Sequence, residues 1–498
     1  MTTITDTAAT STRLIASVPT QLFIGGTWRA AAGGATTDVV NPATEEVLAS
    51  VADADVEDGV AAAEAARDAQ AAWSATPART RSEILYRAFT ALMERQDELA
   101  MLMTLEMGKP LAEARGEVAY AAEFFRWFAE EAVRIDGGFS HRPDGTARTL
   151  VVRQPVGPCL LITPWNFPLA MGARKMGPAI AAGCTMVLKP APQTPLSSLA
   201  LARILQEAGL PDGVLNVVTT SRAAEVIEPI LTGGIIRKLS FTGSTAVGKI
   251  LLQQAAKQVV RTSLELGGNA PFIVLPDADL DVAVDAAVQA KMRNMGEACT
   301  AANRFYVHTA VSDEFAQRLA QRMSALQVGD GTQDGVQVGP MIDAASRDKV
   351  QRLVEDAVAK GATVVSGGNS VTGRGYFVEP TVLSGIAAGS ELLNNEIFGP
   401  VAALQTFTDL DEVIATANDT EWGLVAYVIT QDLDLALNVS ERLEVGMVGV
   451  NTGLVSAPSA PFGGVKHSGL GREGGRLGIE EFLDVKYIAI PIRERGLA

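Results

Sequence analysis

The chain has 498 residues, of which 47% are hydrophobic and 20% are charged, and its formal net charge is −16. This length predicts two or three packed units, and the composition is typical of a soluble globular enzyme. The acidic balance argues against nucleic acid and anionic membranes as partners, because both require a basic protein face.

The chain contains three cysteines and three histidines. Three cysteines cannot form a disulfide framework in a chain of this length, so we expect a reducing compartment, the cytoplasm. No Cys-x-x-Cys pair or histidine cluster has metal-ligand spacing, so we predict no metal site. Residues 1–19 lack the pattern of a secretory signal and are expected to form a flexible tail. No apolar run reaches the roughly 18 residues needed to span a bilayer.

Apolar strand-like runs alternate with Ala-rich helical stretches, which predicts an α/β fold around largely parallel sheets. The rhythm between residues 149 and 259 is that of a dinucleotide-binding domain, and a second α/β block begins near residue 265. In chain order, the predicted elements are strands at 21–28 and 37–41, helices at 56–72, 80–107 and 111–135, strands at 149–156 and 157–163, a helix at 172–182, a strand at 185–189, a helix at 195–207, a strand at 238–241, a helix at 246–259, a strand at 272–274, a helix at 279–295, a strand at 304–308, helices at 313–326 and 343–360, and a strand at 486–492.

Two patterns have a structural and a functional interpretation. The aromatic residues Phe124, Phe125, Trp127 and Phe128 lie together on a predicted helix. Aromatic side chains prefer burial, so we interpret this group mainly as core, with the alternative that one of them lines a substrate tunnel. The predicted strands at 149–156 and 486–492 alternate apolar residues with little nearby to bury them, and we expect them to pair across subunits.

Cys299 is the strongest candidate for a catalytic residue. A lone cysteine is more often a small buried hydrophobe, but this one is flanked by Gly296, Ala298, Thr300 and Asn303. Two further motifs supply complementary chemistry: Glu265 precedes a Gly-Gly pair, and Asn166 lies in a Trp-Asn-Phe-Pro segment. A thiol, a carboxylate and an amide are the parts needed for a nucleophile, a base and an oxyanion stabiliser.

Two segments are candidates for dinucleotide binding. Residues 241–248 follow a predicted strand and open a helix, so Gly243 permits a sharp turn and free backbone amides can face a phosphate. Its Gly-x-x-x-x-Gly spacing is looser than the usual dinucleotide fingerprint, and a plain glycine-rich turn is the alternative. Lys189 closes a strand at the edge where α/β sheets bind ligands; a solvated surface lysine is its alternative interpretation.

The order of these motifs resembles the aldehyde dehydrogenase superfamily from about residue 23 to residue 492. Within that superfamily, the chain is most similar to the succinate-semialdehyde dehydrogenases. The superfamily motifs are at 165–168 (Trp-Asn-Phe-Pro), 189–191 (Lys-Pro-Ala), 241–248, 265–268 (Glu-Leu-Gly-Gly), 296–299 (Gly-Glu-Ala-Cys), 396–400 (Glu-Ile-Phe-Gly-Pro) and 461–464 (Pro-Phe-Gly-Gly), and the closer likeness is carried by 104–110, 127–131, 451–456 and 468–474.

The resemblance implies a Rossmann-like NAD(P)-binding domain (20–137 and 154–262), an α/β catalytic domain (263–462) and a small β oligomerisation arm (138–153 and 479–498). It implies a homodimer or homotetramer. It also implies NAD(P)-dependent oxidation through a covalent thioester, with Cys299 as nucleophile, Glu265 as base and Asn166 as oxyanion donor. The cofactor would contact Trp165, Lys189, Pro192, Gly243, Ser244, Gly248, Glu396 and Phe398.

The resemblance further implies that Arg174, Arg293 and Ser456 hold the distal carboxylate of a semialdehyde. A guanidinium binds a carboxylate through two charge-assisted hydrogen bonds, which agrees with that role. The alternative is that both arginines pair with acidic residues of this chain. Other functions left open are the oxidation of glutarate semialdehyde or of an uncharged aldehyde, and a non-catalytic binding protein on the same fold.

Three positions depart from the pattern of relatives: many have glutamine at 297, some succinate-semialdehyde dehydrogenases have a second cysteine at 301, and NAD-preferring enzymes usually have glutamate at 192. Glu297 replaces a glutamine, and we expect its carboxylate to point away from the thiol, since a nearby negative charge would raise the pKa of Cys299. Ala301 replaces a second cysteine, which removes a disulfide partner. Pro192 replaces a glutamate that would repel a 2′-phosphate, so we predict NADP as cofactor, with NAD also possible.

Overall fold

The computed structural model describes residues 4–369 and 371–493. Sixteen α-helices lie within these residues, and none of them is long and apolar enough to cross a membrane. The helices are α1 (Ile4–Ser17), α2 (Val56–Ser74), α3 (Ala78–Glu94), α4 (Gln96–Met107), α5 (Leu111–Glu131), α6 (Ala170–Ala182), α7 (Pro195–Glu207), α8 (Ala223–Thr232), α9 (Thr245–Ala256), α10 (Leu280–Met292), α11 (Ser312–Ser324), α12 (Ala344–Ala359), α13 (Glu391–Asn394), α14 (Leu410–Asn418), α15 (Leu433–Arg442) and α16 (Gly475–Glu480).

The same residues contain the strands β1 (Leu22–Ile24), β2 (Thr27–Arg29), β3 (Thr36–Asn41), β4 (Glu46–Ala52), β5 (Gly138–His141), β6 (Ala147–Pro155), β7 (Cys159–Ile162), β8 (Met186–Lys189), β9 (Leu215–Val217), β10 (Lys238–Thr242), β11 (Arg261–Glu265), β12 (Ala270–Val274), β13 (Ala302–His308), β14 (Thr363–Ser366), β15 (Thr381–Ser384), β16 (Val401–Phe407), β17 (Trp422–Gly423), β18 (Val425–Ile429), β19 (Met447–Val450), β20 (Val465–Lys466), β21 (Gly469–Leu470) and β22 (Leu483–Pro491).

The first large sheet has the order β2-β1-β9-β8-β7-β10-β11-β21. Its five central strands are parallel, as the alternating pattern predicted. The chain leaves β7 toward β8 and β9 on one side and returns to β10 and β11 on the other. This reversal of strand order creates a crevice at the carboxyl ends of β7 and β10, which is where open α/β sheets bind ligands.

The second large sheet has the order β14-β15-β16-β13-β12-β18-β19, with the antiparallel strand β14 at one edge. Its remaining strands are parallel. Every residue of β12 and β18 is buried, which accounts for their continuous apolar sequences. The two sheets confirm the predicted Rossmann-like and α/β catalytic parts of the fold.

A third sheet contains β22, β6 and β5 in that order. β22 pairs antiparallel with β6 along its whole length, from Leu483 opposite Pro155 to Pro491 opposite Ala147. The expectation that these two strands pair across subunits is therefore wrong: they pair with each other within one chain. The three strands belong to the segments that were predicted to form the oligomerisation arm. Residues 494–498 of that predicted arm lie outside the described residues. The role of the sheet in assembly stays a prediction.

Two helical segments also differ from the sequence interpretation. The single helix expected at 80–107 is interrupted at Arg95, whose backbone is non-helical (φ −107°, ψ 22°) and whose guanidinium bonds both carboxylate oxygens of Glu98. The N-terminal stretch was expected to be a flexible tail, yet α1 is helical and Leu14 and Ile15 pack against the core. Residues 1–3 of that expected tail lie outside the described residues.

Helix α6 is the central element beneath the crevice, and every one of its residues is buried. Small residues make this possible: a Cβ on Gly177 would lie 3.0 Å from the ring of Phe128 on α5. The N-terminus of α6 is capped by Glu117, whose carboxylate accepts hydrogen bonds from the backbone N–H groups of Leu169 and Ala170. The helix thus carries Arg174 at a fixed position inside the molecule.

Candidate active site

A cleft of about 280 Å³ lies at the carboxyl ends of β7, β10 and β11 and is also lined by residues that precede β13. Most of the site residues predicted from the sequence line this cleft. Its lining includes Trp165, Asn166, Arg174, Gly243, Ser244, Glu265, Arg293, Cys299, Glu396, Phe398 and Ser456. Lys189, Pro192 and Gly248 are not among the residues that line it.

Cys299 lies in the connection between α10 and β13, a segment with an unusual backbone. Asn294, Met295 and Gly296 have φ values of 54°, 55° and 79°, so the helix predicted at 279–295 ends at Met292. A Cβ on Gly296 would lie 2.2 Å from the carbonyl oxygen of Gly399, so this close approach requires glycine. Burial raises the pKa of the Cys299 thiol to about 12, although Arg174 opposes the shift. The resting thiol is therefore neutral and needs a base.

The Asn166 side chain is held at the edge of the cleft by the Cys299 segment. Its Nδ2 donates a hydrogen bond to the carbonyl oxygen of Glu297 at 2.9 Å. An amide group has two N–H donors, so one remains for a ligand. Within the described residues, the backbone N–H of Cys299 also makes no hydrogen bond. These two free donors have the chemistry of an oxyanion site.

Glu265 ends β11 and is buried, and in the described part of the chain neither of its carboxylate oxygens has a hydrogen-bond partner. Burial raises its pKa well above the ordinary value, and the neighbouring Glu473 raises it further. The backbone at Gly463 packs closely against this carboxyl group and keeps it in place. A Cβ on Gly463 would lie only 2.8 Å from Oε1 of Glu265. A carboxyl group with a raised pKa has a more basic carboxylate form, which suits it to accept a proton.

Arg174 is involved in a buried ion-pair cluster. Its Nε lies 2.5 Å from a carboxylate oxygen of Glu473, and Nζ of Lys175 lies 2.5 Å from the other oxygen. The guanidinium also stacks on the ring of Phe462, 4.2 Å from the centroid. Although burial alone would raise the pKa of Glu473, Lys175 and Arg174 hold it at about 2. The alternative interpretation of Arg174, pairing with an acidic residue, is what the structure shows, although Arg174 also lines the cleft.

Arg293 has a different environment. No ion pair of its guanidinium is found in the described part of the chain, and the group lies over the rings of Phe167 and Tyr120, at 4.9 and 5.8 Å. The side chain is half-buried and lines the cleft beside Cys299. Aromatic rings hold a guanidinium without consuming its hydrogen-bond donors. Arg293 is therefore available to an anionic ligand.

A second cavity continues from the cleft and shares four of its residues: Tyr120, Phe167, Arg293 and Ser456. Arg293 and Ser456 thus lie where the two spaces meet. The aromatic group Phe124, Phe125 and Phe128 does not line either space and is core, while Trp127 packs against that core. Tyr120, one turn earlier on the same helix, is the residue of α5 that faces the cleft.

The cleft is also lined by Trp165, Glu396 and Phe398, three of the residues expected to contact the cofactor. The rings of Trp165 and Phe398 pack edge-to-face at 5.4 Å between centroids. The carboxylate of Glu396 accepts a hydrogen bond of 3.4 Å from Gly268, and burial raises its pKa to about 7. Nζ of Lys349 fixes the backbone of the same segment through the carbonyl oxygen of Glu396, at 2.7 Å.

The glycine-rich segment after β10 has local structural reasons for its sequence. Ser244 is the N-cap of α9 and accepts a hydrogen bond from the N–H of Val247. A Cβ on Gly243 would lie 2.5 Å from the ring of Phe241. A Cβ on Gly248 would collide with Leu266 at the same distance, so Gly248 lets α9 pack against the β11 connection. Gly243 and Ser244 face the cleft, and Gly248 serves packing.

The residues at the end of β8 fit a negatively charged or hydroxylated group. Lys189 is buried, and its ammonium has no hydrogen bond or ion pair among the described residues. Burial lowers its pKa to about 8. A buried amine without a partner is expected to bind a ligand oxygen, which suits the ribose or phosphate of a dinucleotide. Pro192 follows three residues later and is half-buried.

Glu297 is one of the three positions that depart from the pattern of relatives. Oε1 of Glu297 accepts a hydrogen bond from the backbone N–H of Ile342, so the carboxyl group points away from the cleft, as expected. Cys159, Cys184 and Cys299 are all free thiols.

Sequence reasoning missed Glu473, Lys175 and Asn294. Glu473 lies in a motif used only for the resemblance, and no sequence spacing connects it to Arg174.

A family model described as the aldehyde dehydrogenase family matches residues 28–488. The chain belongs to the aldehyde dehydrogenase family. This membership confirms the resemblance and the enzyme class predicted from the motifs, and aldehyde dehydrogenases use NAD or NADP as hydride acceptor.

Individual relatives are also similar along nearly the whole chain. The succinate-semialdehyde dehydrogenase of Paenarthrobacter nicotinovorans is 56% identical over 89% of this chain and 99% of the relative. The glutarate-semialdehyde dehydrogenase of Pseudomonas putida is 52% identical over 95% of this chain and 98% of the relative. A crystal structure described as an NADP-dependent enzyme of E. coli superposes with a TM-score of 0.94, at 51% identity, over 95% of this chain and 98% of that one.

Proposed function

We propose that this aldehyde dehydrogenase oxidises succinate semialdehyde to succinate with NADP as the preferred cofactor. The observation that carries the proposal is the Arg293 guanidinium, which forms no ion pair with the residues that the structure describes and lines the same cleft as Cys299. A short aldehyde with a distal carboxylate satisfies both groups at once, because the carboxylate pairs with Arg293 while the carbonyl carbon reaches the thiol. Ser456 and Arg174 line the same space and would complete the carboxylate site.

In this proposal, the Cys299 sulfur attacks the aldehyde carbon and its proton passes to a base. The carbonyl oxygen becomes an oxyanion, which the second N–H of the Asn166 amide and the backbone N–H of Cys299 stabilise. Both donors are free of other partners, so they need no rearrangement to reach the oxyanion. When bound, oxidised nicotinamide supplies the hydride acceptor, which leaves a thioester on Cys299.

Glu265 is proposed to activate the water that hydrolyses this thioester. The water loses its proton to the carboxylate, its oxygen attacks the thioester carbon, and the Cys299 thiolate leaves. The raised pKa of Glu265 makes its conjugate base strong enough for this step. The same shift implies that activity increases with pH, because only the deprotonated carboxyl group is a base.

NADP is proposed on two features of the β8 edge. Lys189 offers a cation without a partner, and Pro192 lacks the carboxylate that would repel a 2′-phosphate. The NADP-dependent E. coli structure at 51% identity supports the same choice. Trp165, Gly243, Ser244, Glu396 and Phe398 would hold the nicotinamide half, since all five line the cleft with Cys299. Gly248 would contribute by packing α9.

Glutarate semialdehyde is the second candidate substrate. The relative in Pseudomonas putida that carries this name is 52% identical, and the cavity beyond Arg293 has room for one more methylene group. The deciding experiment measures kcat/KM for succinate semialdehyde, glutarate semialdehyde and butanal, each with NAD and with NADP. The proposal requires succinate semialdehyde with NADP to give the highest value, and a higher value for butanal would refute the carboxylate site.

We also propose that the β5–β6–β22 sheet joins subunits of a homo-oligomer, with an expected location in the cytoplasm. The sheet exposes Phe139, Val485, Tyr487 and Ile490, which is an unusual amount of apolar surface for a free sheet. The free thiols agree with a reducing compartment. Sedimentation of the chain truncated before Lys486 tests the assembly: the oligomer should dissociate or the protein should become insoluble.

A further inference from the structure

Glu297 lies two residues before the nucleophile and is fully buried. Its backbone connects the left-handed residues 294–296 to Cys299. The N–H of Glu297 donates to the carbonyl oxygen of Asn294 at 2.8 Å. Its own carbonyl oxygen accepts from Nδ2 of Asn166 at 2.9 Å and from Nδ2 of Asn294 at 3.0 Å. The position of this carbonyl therefore sets the direction of the Asn166 amide, which is the side-chain donor of the proposed oxyanion site.

The side chain of Glu297 anchors that backbone from the other side. Oε1 accepts a hydrogen bond of 3.2 Å from the N–H of Ile342, in the segment that precedes α12. Oε2 is buried and has no hydrogen-bond partner among residues 4–369 and 371–493. One bond to a neutral N–H is too little to stabilise a buried carboxylate, and a neutral carboxylic acid costs less here because an unpaired polar group is less costly to bury than an unpaired charge.

The charged groups that face Glu297 do not compensate for ionisation. Lys109 is the cation that acts on it, but its ammonium is already bound to Glu117 and to the carbonyl oxygen of Asn166. Asp343, next to Ile342, acts in the opposite direction. Burial, the dominant cause, raises the pKa of Glu297 well above its ordinary value.

We propose that Glu297 is a positioning residue that works as a neutral acid: its side chain anchors the catalytic turn to Ile342, and its carbonyl then aligns the Asn166 amide with the reacting oxygen. The proposal rests on the covalent aldehyde oxidation described above. It also explains how a glutamate can occupy a position next to the nucleophile without repelling the thiolate, because the neutral form carries no charge.

Thermal stability tests the neutral form without any measurement of activity. A carboxyl group whose pKa is raised on folding binds its proton more tightly in the folded state, so the protein loses stability as pH rises from the unfolded pKa of about 4.5 toward the folded pKa. Glutamine has no such dependence. The difference obtained by subtracting the Tm of the wild type from the Tm of Glu297→Gln should therefore increase between pH 5 and pH 9, by about 2 °C or more. The exposed Glu225→Gln is the matched control, and its Tm difference should stay constant.

Kinetics test the positioning role on the substrate that the wild type prefers. Glu297→Gln should keep kcat within about twofold at pH 7.5, because the amide retains the bond to Ile342. Glu297→Ala should lose about 10-fold or more in kcat with a small change in KM, as expected for a misaligned oxyanion donor.

Equal losses in both variants, or an alanine variant as active as wild type, would overturn the positioning role. A Tm difference that does not vary with pH would overturn the neutral acid, even if the alanine variant fails to fold. If the wild type oxidises no aldehyde, the proposed function fails, while the Tm series still decides the state of Glu297.

Discussion

Arg174 and Glu473 form an ion pair buried beside the nucleophile, with 2.5 Å between Nε and Oε2. Arg293 lines the same cleft and has no such partner within the described residues. Arg174 and Arg293, which were predicted to bind one carboxylate together, are therefore not equivalent. Glu473 already pairs with Arg174 and with Lys175, so the selectivity for a charged aldehyde should depend mainly on Arg293.

Replacing each arginine should separate these roles. Arg293→Ala should lower kcat/KM for succinate semialdehyde by about 10- to 150-fold, the equivalent of one charged hydrogen bond of about 1.5–3 kcal/mol. Its effect on butanal should be small, because that aldehyde has no carboxylate. Arg174→Ala should impair both substrates, since it leaves Glu473 short of a partner. Steady-state kinetics on both aldehydes measure the difference.

Arg293→Lys is the control for charge without geometry, and it should recover part of the lost efficiency. Equal losses on succinate semialdehyde and butanal in Arg293→Ala would mean that Arg293 is structural. The substrate would then be an aldehyde without a required carboxylate.

The Glu473 cluster should make a measurable contribution to stability. Glu473→Gln leaves Arg174 and Lys175 buried without a counter-charge, which should cost about 3–5 kcal/mol. The folded-state pKa of about 2 lies below the ordinary value of 4.5, so the contribution is complete above pH 4.5 and is lost as pH falls toward 2. Urea unfolding at pH 7 and pH 3 tests this, and the stability deficit of the variant relative to wild type should be smaller at pH 3 than at pH 7.

A surface pair provides the comparison for that experiment. Glu46 and Arg374 also form an ion pair, at 3.1 Å, but both side chains are exposed. Glu46→Gln should change the unfolding midpoint little, because exposed pairs are screened by water and salt. A similar small effect for Glu473→Gln would contradict the structural role of the buried cluster.

The thiol of Cys299 should react slowly at neutral pH in the absence of substrate. Burial raises its pKa to about 12, so the thiolate fraction grows throughout the accessible pH range. The rate of alkylation by iodoacetamide should increase tenfold per pH unit between about pH 6 and 9, without a plateau. Cys299→Ala identifies the reacting residue, since Cys159 and Cys184 are fully buried. A plateau below pH 8 would show that another group activates the thiol in the free enzyme.

Sequence patterns correctly predicted helices and strands whose bounds depend on local sequence signals. Helix α7 has the predicted bounds, because Pro195 at its start is a local signal. The end of α10 was missed, because the left-handed backbone of Asn294 and Met295 depends on tertiary hydrogen bonds from distant residues. Motifs selected the residues that line the cleft, but only the fold reveals that Arg174 meets Glu473, almost 300 positions away in sequence.

The two steps of catalysis should separate in two variants. Cys299→Ala should abolish aldehyde oxidation while it leaves binding of the dinucleotide intact, because no other thiol reaches the cleft. Glu265→Gln should form the thioester and then stall, which gives a burst of reduced cofactor followed by slow turnover. Stopped-flow absorbance at the reduced nicotinamide band measures both phases. Loss of the burst in Glu265→Gln would show that Glu265 also deprotonates the thiol.

Cofactor preference should respond to a single charge at the end of β8. Pro192→Glu places a carboxylate near Lys189, in the region proposed for the adenosine ribose. Repulsion of a doubly charged 2′-phosphate at an intermediate dielectric is worth about 1–3 kcal/mol, which corresponds to about one to two decades in specificity. The ratio of kcat/KM for NADP to that for NAD should therefore fall by this factor. Pro192→Gln is the matched neutral control, because glutamine has the shape of glutamate without its charge. This variant should leave the ratio nearly unchanged. A wild type that strongly prefers NAD would contradict the assignment of Pro192, whatever the variants do.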